Sequence, residues 1–312
     1  MEIRVLRYFL AVAEEETISG AAKVLHVTQP TLSRQLMDLE QELGQRLLNR
    51  GNRKISLTAE GVFFRKRAQE IIDLVDKTSA DLCAADGLVS GSIHIGCGET
   101  EAMRILARAI QNLNNRYPLI QYQIFSGNGD DVMEKLDIGL LDFGVLIEPA
   151  DIRKYDYLKL PHEDIWGLLM RNDHPLAEYP RIGPNQLENL PLLCSRQTLV
   201  ENTMEGWLGF DYEKLNVVAT YNLIYNAALM VEEGIGCALA LDRLIDTSGD
   251  RPLCFRPLDP PLTANLNLVW KKRSVFSRAA ELFLKQVQKE IRISRGEAAQ
   301  SLTKMEERSP SL

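Results

Sequence analysis

The sequence is short of the residues that cross-link a protein or bind metal. It contains five cysteines in 312 residues, with no Cys-x-x-Cys pair, and four histidines, none of which stands four residues from another. Regularly spaced cysteines are typical of disulfide frameworks, and clusters of cysteine and histidine are typical of zinc sites. We therefore expect reduced thiols that mostly fill the core, no bound metal and no cofactor.

Long apolar runs and export signals are also lacking. No stretch of about 18 apolar residues occurs anywhere in the chain. The first thirteen residues are interrupted by Arg4 and Arg7 and lack the apolar segment and cleavage site of a signal peptide. We expect a protein that stays in the cytoplasm and has no membrane partner.

Catalytic and phosphate-binding motifs are absent as well. The chain has no Gly-x-Ser-x-Gly elbow and no Gly-x-x-x-x-Gly-Lys loop. Its Gly-x-Gly pairs at 96–98, 127–129 and 234–236 lack the third glycine of a dinucleotide fingerprint. We expect no catalytic residues and no enzymatic activity.

Charge is divided unevenly along the chain, whose length predicts at least two domains. The net charge is −7, yet residues 23–67 hold nine Lys and Arg against four acids, a net charge of +5, so the remainder carries −12. An acidic body with one basic segment is typical of a protein that approaches phosphates at a single place. A solvated basic helix face would give the same count, so charge alone leaves both interpretations open.

Three helices are predicted in the first 44 residues. Apolar spacing indicates a helix from Arg4 to Glu15 and a second, short helix in which Ala21 and Ala22 permit close packing. Thr28 is a candidate N-cap of a third helix, which ends at Gly44. The predicted buried stripe of the third helix is Leu32, Leu36, Leu39 and Leu43. Its other face opens with Gln29, Thr31, Ser33 and Arg34. Such hydrogen-bonding side chains can read bases in the major groove, although an ordinary three-helix bundle with polar caps would also fit.

A hairpin and a long helix follow. Residues 47–57 place a Gly-Asn turn between two strand-like segments, with Arg50, Arg53 and Lys54 around its tip. This pattern predicts a wing that can follow the DNA backbone or enter the minor groove. Thr58 then caps a helix to about residue 85, whose apolar stripe has coiled-coil spacing and is predicted to join two subunits. The stripe consists of Phe64, Ala68, Ile71, Val75 and Leu82.

This region strongly resembles the LysR-type transcriptional regulators. The segments that carry the resemblance are LRYF (6–9), AA (21–22), HVTQPTLSRQ (26–35), LEQELG (39–44) and LTAEG (57–61). The resemblance implies a winged helix-turn-helix that contacts bases through the third helix, a wing that follows the DNA, and a long helix that pairs two subunits. The candidate DNA-binding residues are Thr28, Gln29, Pro30, Thr31, Ser33, Arg34, Arg50, Arg53 and Lys54. Pairing of subunits would let the protein read two half-sites, and the resemblance suggests a homotetramer built from dimers.

The remaining two thirds alternate strands with helices, which implies parallel α/β sheets. Predicted strands lie at 93–96, 120–125, 143–147, 165–170, 237–241 and 266–270, and predicted helices at 102–116, 130–138, 223–233 and 276–291. Segments such as GSIHIG (91–96), HPL (174–176) and GIG (234–236) resemble the effector domain of the same family. The resemblance implies two Rossmann-like α/β subdomains, similar to a periplasmic binding protein, with a ligand cleft at crossover strands near 161–164 and 262–266. The charged tail 294–312 is expected to be disordered.

Loops at strand ends and helix N-termini are the candidate parts of this cleft, because exposed N–H groups there attract polar or anionic ligands. The candidate effector-binding residues are Gly98, Glu99, Thr100, Ser126, Gly127, Asn128, Ser195, Arg196, Gln197, Thr220 and Tyr221, with Asn222 beside them. The resemblance favours Thr100 and Ser195 as contacts, although each could be a cap or turn residue that meets only water. Glu99 replaces the small or apolar residue that the family often has, which argues against a purely anionic ligand. It would suit a ligand amine, with Arg196 opposite a carboxylate. A carboxylate or amino-acid-like effector is therefore expected.

Three regions are predicted: a winged helix-turn-helix at 1–58, a dimerisation helix and hinge at 59–88, and an effector-binding domain at 89–312. Within the last, subdomain I covers about 89–162 and 266–292, and subdomain II about 163–265. The predicted function is a regulator that binds double-stranded promoter DNA as a dimer or tetramer and responds to a small molecule. A solute-binding protein or α/β enzyme fused to an unrelated helical segment is the alternative, which the missing export signal and the complete DNA-reading helix oppose.

Overall fold

The computed structural model of the protein describes residues 1–51, 54–82, 89–196 and 204–306, and only the backbone at 50, 80–82, 205, 212 and 297–306. The chain forms two compact units, Met1–Cys83 and Ala84–Leu312. The helices of the first unit are α1 (Ile3–Glu15), α2 (Ile18–Val24), α3 (Gln29–Leu43) and α4 (Ala59–Leu82). Its antiparallel strands are β1 (Leu48–Arg50) and β2 (Ile55–Leu57).

The helices of the first unit enclose a small apolar core. Phe9 of α1 and Leu32 of α3 are fully buried, and the two alanines of α2 are buried in the same cluster. Leu43 is 38% exposed, so its predicted place in the buried stripe is wrong. It lies in the last turn of α3, next to Gly44, which ends the helix with a φ of +65°.

The start of α4 is fixed against the wing. The Thr58 hydroxyl accepts a hydrogen bond from the Gly61 N–H at 2.9 Å, which confirms Thr58 as the N-cap. A Cβ atom at Gly61 would stand 2.1 Å from the carbonyl oxygen of Leu47. Only glycine therefore allows the first turn of α4 to approach the strand that begins the wing.

The apolar stripe of α4 packs in part against its own chain. Ala68 is fully buried, Ile72 is 5% exposed, and the ring of Phe64 meets that of Phe9 edge to face at 5.0 Å. Ala68 is therefore covered by its own chain and is not free to form the predicted subunit seam, whereas Phe64 is half-buried and packs in part against α1. Ile71 is 39% exposed, while the side chain of Leu82 lies outside the described residues.

The second unit is an α/β body. Its strands are β3 (Gly91–Cys97), β4 (Ile120–Ser126), β5 (Phe143–Ile147), β6 (Tyr155–Arg171), β7 (Leu192–Ser195), β8 (Val217–Tyr221), β9 (Cys237–Leu241), β10 (Leu253–Pro257) and β11 (Thr263–Lys271). Its helices are α5 (Met103–Asn114), α6 (Gly129–Asp137), α7 (Glu205–Leu208), α8 (Ile224–Glu232) and α9 (Arg278–Glu306). The strands are hydrogen-bonded in the order β4-β3-β5-β11-β6-β9-β7-β8, with β10 also on β6.

Two strands connect the halves of this body. The first part of β6 pairs with β11, and its last residues, from Trp166, pair with β9 and β10. This arrangement confirms two α/β subdomains joined by crossover strands. The expectation of parallel sheets is confirmed for β3–β5 and β7–β9, whereas β6 and β11 pair antiparallel with their neighbours.

The end of the chain also differs from the prediction. The last helix, α9, continues to Glu306, so the part of the tail before residue 307 is helical rather than disordered. Residues 307–312 lie outside the described part. The first half of α9 is anchored by Phe283, which is fully buried against Phe143 of β5 with ring centroids 5.2 Å apart.

Candidate DNA-reading surface and ligand cleft

The N-terminal face of α3 is open to solvent. A four-residue link, 25–28, joins it to α2, and the Thr28 side chain caps it by accepting the Thr31 N–H at 3.4 Å. The two threonine hydroxyls also lie 2.8 Å apart and hydrogen-bond to each other. Gln29, Pro30 and Arg34 are exposed, and Ser33 is half-buried. The face therefore presents an amide, a guanidinium and hydroxyls within the first two turns of one helix.

The wing is tied to the end of α1. The Gly51 N–H donates to the Lys54 carbonyl at 3.1 Å, and the Ile55 N–H donates to the Glu16 carbonyl at 2.7 Å. The ammonium of Lys54 pairs with the Glu16 carboxylate at 2.5 Å, and this hydrogen bond and charge lower the pKa of Glu16. Both groups are solvent-exposed, so the pair contributes little to stability. Arg53 and the side chain of Arg50 lie outside the described residues.

A cleft opens in the second unit where the strands of both subdomains end. It encloses about 610 Å³ of space, part of it open to solvent. Its walls come from loops after β3, β4, β5, β7, β8 and β9, together with β6 and the start of α8. The lining residues are Gly98, Glu99, Gly127, Asn128, Ile147, Glu148, Pro149, Trp166, Ser195, Tyr221, Asn222, Ile224, Leu241 and Leu244.

Most of the predicted loops reach this cleft, but not every predicted residue does. The predicted residues on its wall are Gly98, Glu99, Gly127, Asn128, Ser195, Tyr221 and Asn222. Ser126, Arg196 and Thr220 are exposed and are not among the lining residues, and Gln197 lies outside the described part. Sequence reasoning missed the apolar members Ile147, Trp166, Leu241 and Leu244. The sequence signal for these residues was their position near strand ends. Apolar residues at such positions can equally belong to the core, so they did not mark the cleft.

Thr100, the other residue that the family resemblance favours, is not among the residues that line the cleft. Thr100 is 7% exposed, and its hydroxyl donates a 2.6 Å hydrogen bond to Oδ2 of Asp164 while accepting the Ala102 N–H. Asp164 is fully buried on β6, and Nε2 of His162 stands 3.0 Å from its other oxygen. Burial raises the pKa of Asp164 above its ordinary value. Thr100 is therefore part of the junction between the subdomains and is already hydrogen-bonded.

Glu99, one residue earlier, spans the cleft. Its carboxylate accepts a hydrogen bond from the Ile224 N–H, the first of α8, at 2.5 Å. The N-cap residue of this helix, Leu223, supplies no side-chain cap, so Glu99 provides one from the other subdomain. A carboxylate is favoured there by the partial positive charge of a helix N-terminus.

The negative charge of Glu99 also affects the pKa values of other buried groups. Burial first, then the Glu99 charge, raises the pKa of Cys97. Burial, with smaller effects of Cys194 and Glu99, also raises the pKa of Tyr221, whose hydroxyl donates to the Leu239 carbonyl at 2.6 Å. The Glu99 carboxylate therefore makes the electrostatic potential in the cleft negative. The Tyr221 hydroxyl in its wall already has a hydrogen-bond acceptor.

The described ranges contain neither a cluster of metal ligands nor a membrane-spanning helix. No group of three or more His, Cys, Asp or Glu side chains there could hold a metal ion. Among the same residues, no helix has both the length and the apolar character needed to cross a membrane.

Both units are similar to known proteins. The model of the lysR-family bacterial regulatory helix-turn-helix protein matches residues 3–62, and that of the LysR substrate binding domain matches residues 86–292. The uncharacterized HTH-type transcriptional regulator YvbU of Bacillus subtilis (strain 168) is 26% identical over 288 residues, 91% of this chain and 97% of that protein. The Hca operon transcriptional activator HcaR of Escherichia coli (strain K12) is 29% identical over 278 residues, 87% of this chain and 92% of that protein.

The fold agrees with these matches. The crystal structure of CbnR, a LysR family transcriptional regulator, superposes with a TM-score of 0.72 at 20% identity, over 93% of this chain and 99% of CbnR. The winged helix-turn-helix therefore corresponds to the lysR-family helix-turn-helix domain, and the two-subdomain body with its cleft corresponds to the LysR substrate binding domain. Since the substrate-binding-domain match alone spans well over half of the chain, the protein belongs to the LysR family of bacterial helix-turn-helix transcriptional regulators.

Proposed function

We propose that this regulator binds double-stranded promoter DNA through α3 and the wing, and that a small molecule in the cleft alters that binding. The observation that carries the proposal is the exposed hydrogen-bonding N-terminus of α3, which follows α2 after a tight link. Helix-turn-helix proteins place this end of the second helix in the major groove. CbnR, which shares the fold with a TM-score of 0.70, has been crystallised with its target DNA.

Different residues take different parts in the proposed complex. Arg34, one turn into α3, reads a base edge, and Gln29 and Ser33 contact the bases beside it, with Thr28, Pro30 and Thr31 at the helix start. On the wing, the basic side chains contact phosphates or the minor groove. These are Arg50, Arg53 and Lys54. Phosphate contacts set position and affinity, whereas base contacts set sequence preference.

The corrected geometry of α4 supports a homodimer through its solvent-facing side. Phe63 is 65% exposed, Leu74 40% and Ile71 39%, and these apolar side chains lie apart from the face that α1 covers. We assign subunit pairing to this exposed face, with Val75 at its margin. Exposed apolar surface of this kind commonly marks an interface. A tetramer would need a second contact between effector domains.

The proposed division of labour follows the predicted regions. Residues 1–58 bind DNA, 59–88 form the pairing helix and hinge, and 89–312 sense the ligand. The regulator acts in the cytoplasm and works without catalysis, since its output is a change in DNA occupancy. The ligand enters the cleft between the subdomains, where Ser195, Asn128 and Asn222 offer neutral polar groups and Glu99 a negative one.

The test is selection of bound duplexes from a random DNA pool by the full-length protein, followed by fluorescence anisotropy on the selected sequence. The selected sites should contain two half-sites related by a two-fold axis. Arg108→Ala is a suitable control for variants that lose a cation of α3 or the wing, because Arg108 is an exposed cation on α5, outside the first unit. Failure of the wild type to enrich any sequence, under conditions where it remains folded, would refute sequence-specific DNA binding.

A further inference from the structure

The cleft wall carries negative charge without a compensating cation. Among the lining residues that the structure describes, the acids are Glu99 and Glu148, and no Lys, Arg or His is present. Arg196 lies outside the wall, and the sequence of 197–203 contains no basic residue. The rest of the wall is largely apolar: Ile147, Trp166, Ile224, Leu241 and Leu244.

The position that would otherwise attract an anion is already taken. The N-terminus of α8 has no cap of its own, and the Glu99 carboxylate accepts its first N–H, that of Ile224. A helix N-terminus is the usual place for a ligand carboxylate or phosphate. An anionic ligand here would have to displace Glu99 and then lie beside an unpaired carboxylate. A cationic ligand would instead be attracted by Glu99 where it stands.

A second carboxylate and an unpaired donor complete the site. The Asn267 amide donates to Oε1 of Glu148 at 2.7 Å and holds that carboxylate at the wall. Trp166, also in the wall, is 7% exposed, and its buried indole N–H has no acceptor among the described residues. Buried N–H groups are nearly always paired, so this one lacks an acceptor that the described residues do not supply.

We propose that the cleft selects a protonated amine carried on a compact apolar body, together with a hydroxyl or carbonyl oxygen. The ammonium meets Glu99 and Glu148, the apolar body packs on the aliphatic wall, and the oxygen accepts the Trp166 N–H. Glu99 is the residue that determines the charge of the ligand. The proposal rests on the proposed function, in which this cleft is the effector site. Of the ligands expected from the sequence, it keeps the amine and drops the requirement for a carboxylate.

Three probes with the same phenyl ring separate the possibilities. Phenylalaninol carries an ammonium and a hydroxyl, 3-phenylpropan-1-ol only the hydroxyl, and 3-phenylpropionate a carboxylate. Each is titrated into the full-length protein while tryptophan fluorescence and the melting temperature are followed, since Trp166 lines the cleft. The variants are Glu99→Gln and the control Glu101→Gln, which removes an acid that pairs with Arg104 and does not line the cleft.

The wild type and Glu101→Gln should bind phenylalaninol at least about tenfold more tightly than 3-phenylpropionate. Glu99→Gln should lose most of this preference and bind the propionate more tightly than the wild type does. A wild-type preference for the propionate, no amine binding by the folded wild type, or an unchanged preference in Glu99→Gln would overturn the proposal. If circular dichroism shows that Glu99→Gln does not fold, Glu148→Gln provides the same test, because it removes the other carboxylate.

Protection of the selected DNA from nuclease digestion, measured on the same samples, separates this inference from the proposed function. Amine binding that leaves DNA protection unchanged would support the charge selectivity of the cleft and refute its role as the effector site. A wild type that binds no DNA sequence would refute the proposed function, while the order of probe affinities would still decide the charge selectivity.

Discussion

Two adjacent isoleucines of α4 test which face of this helix belongs to the core of its own chain. Ile72 is 5% exposed and packs in the core of the first unit, whereas Ile71 is 39% exposed. Ile72→Ala removes three buried carbon groups at about 0.8 kcal/mol each and leaves a cavity, for a total of about 3 kcal/mol. That loss is equivalent to roughly a hundredfold change in the local unfolding equilibrium. Ile71→Ala opens no comparable cavity and should cost less than about 1 kcal/mol.

Hydrogen exchange followed by mass spectrometry is the suitable assay, because all three tryptophans lie in the second unit and fluorescence would not report on the first. Peptides from α1 should exchange much faster in Ile72→Ala and nearly as in the wild type in Ile71→Ala. Sedimentation should show the opposite order for subunit pairing, with Ile71→Ala the weaker self-associating variant. Faster exchange of α1 in Ile71→Ala than in Ile72→Ala would mean that α4 is rotated, and would refute the division of its faces.

Three other substitutions or measurements test separate parts of the molecule. Arg34→Ala should weaken binding to the selected DNA about 5- to 100-fold and relax the sequence preference at one position per half-site. Arg108→Ala should change neither quantity. Equal losses of affinity for selected and random DNA in Arg34→Ala would contradict base reading. Arg53→Ala should weaken all sequences alike and reduce the salt-dependence slope by about 0.9, and a changed sequence preference would argue against a phosphate contact. Burial, with a smaller effect of Cys254, raises the pKa of Cys237 to about 12, so iodoacetamide at about pH 9 should label this thiol only after unfolding. Because the native thiol keeps its proton longer than the unfolded one, the free energy of unfolding should fall as pH rises from about 9 towards 12, and less so in Cys237→Ala.

The first unit was largely predictable because its determinants are local. Thr28, Gly44 and Thr58 mark helix ends through caps that involve residues at most a few positions away, and the structure confirms all three. The face of α4 was not predictable in the same way. A regular apolar stripe shows that a helix is covered, but its spacing does not say whether the cover is another subunit or, as for Ala68, the protein's own α1.

The second unit was predictable in its alternation and less so in its details. The strands β7, β8 and β10 have four or five residues each, too short for a periodic signal. The first half of β6 is polar, so only its second half, 165–170, was predicted as a strand. In the cleft, strand ends identified the right loops. The hydrogen bonds of Thr100 and Glu99 go to partners 64 and 125 residues away, which no local pattern reveals.

The loop after β3 shows how one short segment can serve both stability and selectivity. Thr100 is buried, and its hydroxyl donates to one oxygen of the fully buried Asp164 carboxylate on β6, so we expect a change there to disturb the junction between the subdomains. Its neighbour Glu99 faces the cleft and reaches the start of α8 in the other subdomain. A ligand shifts an equilibrium only by its different affinities for the two states, and a contact that joins the two subdomains is a place where such a difference can arise. An amine held at Glu99 lies beside the hydrogen bond that joins this loop to the start of α8. We therefore expect Glu99 to be the place where ligand chemistry alters the arrangement of the two subdomains.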